Sequence, residues 1–149
     1  MTSTQAQFSK TFGSRLAGIA LMALGCAPAA LSPSSLPDGA VSFTAPSEYR
    51  VWWASTESCS GRTGDFDRIA WYAVPGASTM ETEIGEKVGI WASHDGQSTI
   101  TIAGEYLDNE LVIRHEMLHE LLGRDGHPDE YFVARCGLTW ESWQLASSE

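Results

Sequence analysis

The chain is short of basic residues. It has 9 Lys and Arg against 19 Asp and Glu over 149 residues, a net charge of −10. Nucleic-acid binding draws most of its affinity from cations laid along phosphates, so this scarcity excludes DNA and RNA as partners. It equally excludes docking on an anionic membrane through a basic patch. Long hydrophobic runs are missing too: the longest, Leu16 to Leu24, falls short of the ~20 residues that span a bilayer. There is no internal repeat, and cysteines number only three. What is present in quantity is apolar and aromatic side chain, 43% hydrophobic with six Trp, too rich for a disordered chain and enough for one domain.

The charge is unevenly spread. Up to Gly25 the only charged residues are Lys10 and Arg15, ahead of the apolar run. A basic segment followed by a short apolar core reads as a secretory signal over residues 1–25. Ala23-Leu24-Gly25-Cys26 resembles the lipobox of bacterial lipoproteins, which implies that Cys26 is lipidated and becomes the anchoring N-terminus. Cleavage within Ala27 to Ala30, giving a secreted protein, is the alternative. Contact with the membrane is then expected only through the lipid. Setting Cys26 aside leaves Cys59 and Cys136, an even pair in an oxidising compartment and so an expected disulfide. On the chain-entropy view, closing so long a loop is worth about 4.5 kcal/mol.

Residues 26–47 are dominated by Ala, Ser and Pro and read as a tether, with order expected near Tyr49 and a domain over 48–149. Tyr49 to Thr56 is rich in strand formers and predicts a first strand, with Trp52 and Trp53 facing opposite ways. Ile69 to Val74 predicts a second, ended by Pro75-Gly76. Val88 to Ser93 and Thr99 to Ala103 flank His94-Asp95-Gly96, a hairpin signal. The period then becomes helical: Asp108 is a candidate N-cap, Leu111, Leu118 and Leu122 share a face, and Gly123 suits the C-terminal turn. A helix over Asn109 to Leu122 follows, then a shorter one from Pro128 to Arg135. Trp140 and Trp143 in the tail are expected to close the core. The fold class is α+β, a small and mostly antiparallel sheet of about four strands packed on the Asn109–Leu122 helix.

That helix carries His115-Glu116-Met117-Leu118-His119, an H-E-x-x-H motif. Residues i and i+4 sit one turn apart on one face, so both imidazoles can address one ion. Glu116, beside the first ligand, is placed to take a proton from a water that Zn²⁺ has brought towards neutral acidity. His127, Asp125 and Glu141 are the candidates for a third ligand. His127 is preferred because it follows a glycine turn that can fold back, and neutral imidazole is a common zinc ligand.

In these residues the sequence resembles the zincin metallopeptidases, with a metzincin-like arrangement over roughly Val88 to Pro128. It departs from the metzincin pattern in three places. Leu122 stands where that family's glycine falls, Asp125 where its third ligand falls, and no Met follows His119 to make a Met-turn. Glu141, 22 residues past His119, would match the gluzincin arrangement instead. The resemblance implies a zinc-dependent peptidase with Glu116 as general base, acting on a peptide or protein at the bacterial envelope, and a monomer is expected. It also implies that Thr99 to Gly104 is an edge strand aligning extended substrate. Tyr106 and Tyr131 are candidates for steadying an oxyanion, though packing is the commoner job of a Tyr. Glu120 is a candidate partner for a ligand, and His94 is expected in solvent. The acidic surface mildly favours cationic peptides. The alternative function is a non-catalytic envelope lipoprotein, zinc-bearing or metal-free, serving as a binding module.

Overall fold

The computed structural model describes residues 36–142. Lys10, Arg15, the apolar run, Cys26 and Trp143 lie outside the described residues. The elements are β1 (Val41–Ser42), α1 (Ser47–Ser60), β2 (Ile69–Val74), β3 (Gly89–His94), β4 (Gln97–Ala103), α2 (Glu110–Leu122) and a π-helical turn, Glu130–Arg135. This is an α+β arrangement, a four-stranded mixed sheet packed against α1 and α2. Among the described residues no helix is long and apolar enough to cross a membrane.

The expected first strand is instead the helix α1. Tyr, Val and Trp suggested a strand, but the side chains that α1 buries are Tyr49, Trp53, Thr56 and Ser60, spaced by four, three and four. That is the period of one helical face, and burial of two large rings outweighs a modest local preference for strand. Trp52 and Trp53 therefore lie around a helix rather than across a sheet. Trp53 is in the core, while Trp52 is half-buried and stacks on Tyr49 at 5.2 Å between centroids.

Ordered structure also begins before Tyr49. Within the Ala/Ser/Pro-rich stretch, Val41–Ser42 pairs antiparallel with Ala73 and Tyr72 of β2. Phe43 then turns inward, meeting Tyr49 and Trp71 edge-on at 6.2 Å each. One aromatic side chain is enough to seat a segment whose composition otherwise offers little to bury.

The β3–β4 hairpin forms as its Asp-Gly pair predicts, with His94 and Asp95 exposed at the turn. Its position in the sheet differs from expectation. Strand order is β1-β2-β4-β3, so β4 lies inside, parallel to β2 and antiparallel to β3. Residues 75–88 carry the chain out to the far edge, and the hairpin then returns β4 into the gap beside β2. Among the described strands the edges are thus β1 and β3, and Thr99 to Gly104 is not an edge strand. Turn chemistry specifies which strands form a hairpin, but not which of them meets a third strand. Ile69, Trp71, Ile100 and Ile102 form the sheet's contribution to the core, with Val112, Ile113 and Met117 of α2.

Cys59 at the end of α1 is bonded to Cys136, with 5.1 Å between Cα atoms. An oxidising, extracytoplasmic location suits such a bond. The tail closes the core with Leu138, which is buried, whereas Trp140 is 50% exposed. Removing the ring that seats the N-terminal segment should be felt by the whole domain. Phe43→Ala is expected to lower unfolding stability by about 2 kcal/mol in urea titration. A change within about 0.5 kcal/mol would show that the segment before α1 adds nothing to the fold.

Candidate metal centre

Helix α2 runs one residue shorter at its start than expected. Asn109, not Asp108, caps it, its side chain accepting the Val112 N–H at 3.2 Å. At the other end Gly123 adopts the left-handed conformation (φ 60°) that closes a helix without a Cβ clash. The chain turns back through residues 124–126 and delivers His127 to the face that carries His115 and His119.

The three imidazoles form one cluster, each offering a ring nitrogen, all within 4.8 Å of one another. Nε2 of His115 and Nε2 of His127 approach to 2.9 Å. Nδ1–H of His115 donates to the Leu138 carbonyl at 2.7 Å, and Nδ1–H of His119 to the Arg124 carbonyl at 3.1 Å. A carbonyl can only accept, so in both rings the proton sits on Nδ1 and the lone pair on Nε2 is left for a ligand. In a tetrahedral zinc site with bonds of 2.0–2.1 Å, ligand nitrogens lie about 3.3 Å apart. Small rotations of these rings meet that spacing, so the donor set fits a divalent ion of the zinc type. Of the other two candidates, Asp125 is exposed on the wall of the same cleft, and Glu141 is outside the cluster. Because α2 continues through Leu122, the turn is displaced and it is His127 that returns.

Beneath the cluster lies Phe132, fully buried, with its centroid 4.9, 4.9 and 4.8 Å from those of His115, His119 and His127. On the outer side Trp91 of β3 lies nearly parallel to His119, at 6.2 Å and 15°. Its indole N–H donates to Glu120 at 2.6 Å, so Glu120 acts on the cluster through Trp91. Burial among these rings lowers the His115 pKa to about 4, against the pull of its carbonyl bond, and lowers that of His119 as well. Both imidazoles are neutral in the neutral pH range, the state that binds metal.

Glu116 lies in the same cleft but points to β3 rather than into the cluster. A Cβ on Gly89 would stand 2.6 Å from its carboxylate oxygen, so only glycine lets the strand backbone and this carboxyl lie together. Burial raises the Glu116 pKa to about 8, opposed by a hydrogen bond from the Trp91 backbone and by the charge of Lys87. The cleft encloses about 630 Å³ between the β3 edge, the N-terminal half of α2 and residues 125–127, with Ile84 and Trp140 at its rim. Tyr106 packs against the main core, and the Tyr131 hydroxyl accepts from Arg62 at 2.7 Å, so both are occupied away from this cleft.

The motif therefore led to His115, Glu116 and His119 and the glycine turn after it to His127, but neither led to Phe132, Trp91 or the two carbonyls. Gly89 did carry a signal, because an isolated glycine within a strand marks a close approach.

The buried carboxyl makes stability of the metal-free chain depend on pH. Glu116 binds its proton more tightly folded than unfolded, so its contribution is complete below about pH 4.5 and is lost as pH rises through 8. His115 acts in the opposite sense, its contribution being lost as pH falls from 6.5 through about 4. Glutamine at 116 is neutral throughout. The stability of Glu116→Gln relative to the parent, with metal chelated, should rise by about 2 kcal/mol between roughly pH 6.5 and 8.5. A constant difference would mean that the carboxyl is already ionised in the folded chain.

The chain matches no protein-family model, no curated protein and no solved structure, so its chemistry has to be read from these side chains.

Proposed function

We propose that the chain is a zinc-dependent peptidase, exported to the bacterial envelope and held there through a lipid on Cys26. The observation that carries this reading is the convergence of three imidazoles with a buried carboxyl, Glu116, in one cleft along the edge of β3. His115, His119 and His127 would hold the ion through one ring nitrogen each. When bound, zinc supplies Lewis acidity towards a water and towards a substrate carbonyl.

The remaining work falls to the chain's own groups. The carbonyls of Leu138 and Arg124 keep two imidazoles in the tautomer that presents Nε2. Glu116 accepts the proton of the attacking water and returns it to the leaving amine. Its high pKa without metal makes it a willing proton acceptor, and a cation beside it draws it back towards the ionised form that a base requires. Apart from the Trp91 N–H that bonds Glu116, the outer edge of β3 offers backbone groups to an extended peptide, which would lie as a fifth strand along Gly89 to Trp91. Such a site recognises unfolded or extended chains, with main-chain bonds giving affinity. The disulfide Cys59–Cys136 supports an oxidising location.

The test uses the zinc-loaded chain with mixed-sequence quenched fluorescent peptides. The parent should cleave them, Glu116→Gln should retain zinc while losing at least about a hundredfold in rate, and His119→Ala should lose zinc. Cleavage by Glu116→Gln at the parental rate, or none by the zinc-loaded parent, would favour the non-catalytic zinc-bearing module instead.

A further inference from the structure

The segment that follows the glycine turn, residues 128–138, is held to the domain from two sides. Inward, it supplies Phe132 beneath all three imidazoles and the Leu138 carbonyl that accepts from His115. Leu111 and Leu118 of α2 pack with Phe132 and Leu138 as a small second core. Outward, it is tied to the end of α1. Arg135 donates to the Ser60 carbonyl at 3.4 Å, and Arg62 donates to the Tyr131 hydroxyl at 2.7 Å. The covalent tie is Cys59–Cys136, with Cys136 placed between Phe132 and Leu138.

These ties are unequal. The two arginine contacts are a long bond and a largely exposed one, and both exchange readily for water. The disulfide joins positions 77 residues apart and limits how far the segment can move from α1. α2 is braced to the same end of α1, since Arg114 donates to Thr56 at 3.2 Å and its Nη2 lies 3.8 Å from the Cys59 sulfur. The bond thus fixes the spacing between the helix that carries two histidines and the segment that orients them.

We infer that Cys59–Cys136 and Phe132 are positioning residues of the histidine cluster, so that metal affinity depends on the redox state of the disulfide. The inference rests on reading the three histidines as a metal centre. Both cysteines are half-buried, within reach of a dithiol reductant. Exchange passes two electrons and two protons from the dithiol to the bond, leaving Cys59 and Cys136 as thiols and the reductant as its own disulfide. Once released, the segment no longer holds Phe132 under the rings or the Leu138 carbonyl on His115. Outer-shell contacts of this kind govern metal affinity by about 10–100-fold.

The experiment compares the full chain with Cys59→Ser/Cys136→Ser, which avoids new thiol ligands, and with Phe132→Leu, which keeps the disulfide. Zn²⁺ affinity is measured by competition with a chromophoric chelator, coordination geometry by the visible absorption of the Co²⁺ form, and fold by far-ultraviolet circular dichroism. Expected is a 10–100-fold weaker affinity and an altered Co²⁺ band in both variants, with the dichroism of the parent retained. Parental affinity and an unchanged Co²⁺ band in either folded variant overturn the inference. If the double serine variant does not fold, Phe132→Leu alone decides it by the same two readings. A parent chain that binds neither ion overturns the metal-centre reading, and this inference with it.

Discussion

Three imidazoles converge on one face of α2, two of them, His115 and His119, shielded and kept neutral, and much of the structure follows from that requirement. An imidazole removed from water needs a partner for its N–H, and a charged one would need far more. Backbone carbonyls from two different loops meet the first need, at Leu138 and at Arg124. Phe132 meets the second by filling the space behind the rings with a side chain that offers a charge nothing. The His115 and His119 rings held in this way are depleted in protons and present their lone pairs. Those are the properties that a divalent cation selects.

The sheet contributes an edge and a gap. β3 lies outermost, and at Gly89 it lacks the side chain that would have filled the place of the Glu116 carboxyl. A carboxyl pressed against a strand backbone is costly to ionise, which raises its proton affinity, yet the same strand offers it the Trp91 backbone N–H. Trp91 then serves a histidine as well, lying along His119 while its indole is fixed by Glu120. One short strand thereby sets the surroundings of both functional types, the histidine and the carboxyl. The disulfide and the arginines near it act at longer range, holding α1 to α2 on one side and to the Phe132 segment on the other.

How much of this was legible depended on whether the information was local. The H-E-x-x-H spacing is a property of one helix, so His115, Glu116 and His119 could be read from five residues. The hairpin and the helix ends were equally local, written in Asp95-Gly96 and in Gly123. His127 was preferred on turn chemistry, and the structure brings it to the pair on α2. Where long-range packing decided, local reading failed. Tyr49 to Thr56 looked like a strand because its residue types favour one, whereas the burial of Tyr49 and Trp53 on one face made it a helix. β4 was expected at an edge on the family resemblance, and nothing in a hairpin sequence reveals where a third strand will insert. Phe132 had no signal at all, since an aromatic residue on a short amphipathic turn is ordinary core until its neighbours are known.

The central claim is that these three histidines hold one metal ion together, and the coordination shell itself tests it most directly. X-ray absorption at the zinc K-edge of the zinc-loaded chain should show the multiple-scattering signature of three imidazoles bound at about 2.0–2.1 Å and one further, exchangeable oxygen donor. In His127→Ala one imidazole contribution should disappear. A shell with fewer than three imidazoles in the parent, or one unchanged by His127→Ala, would contradict the account.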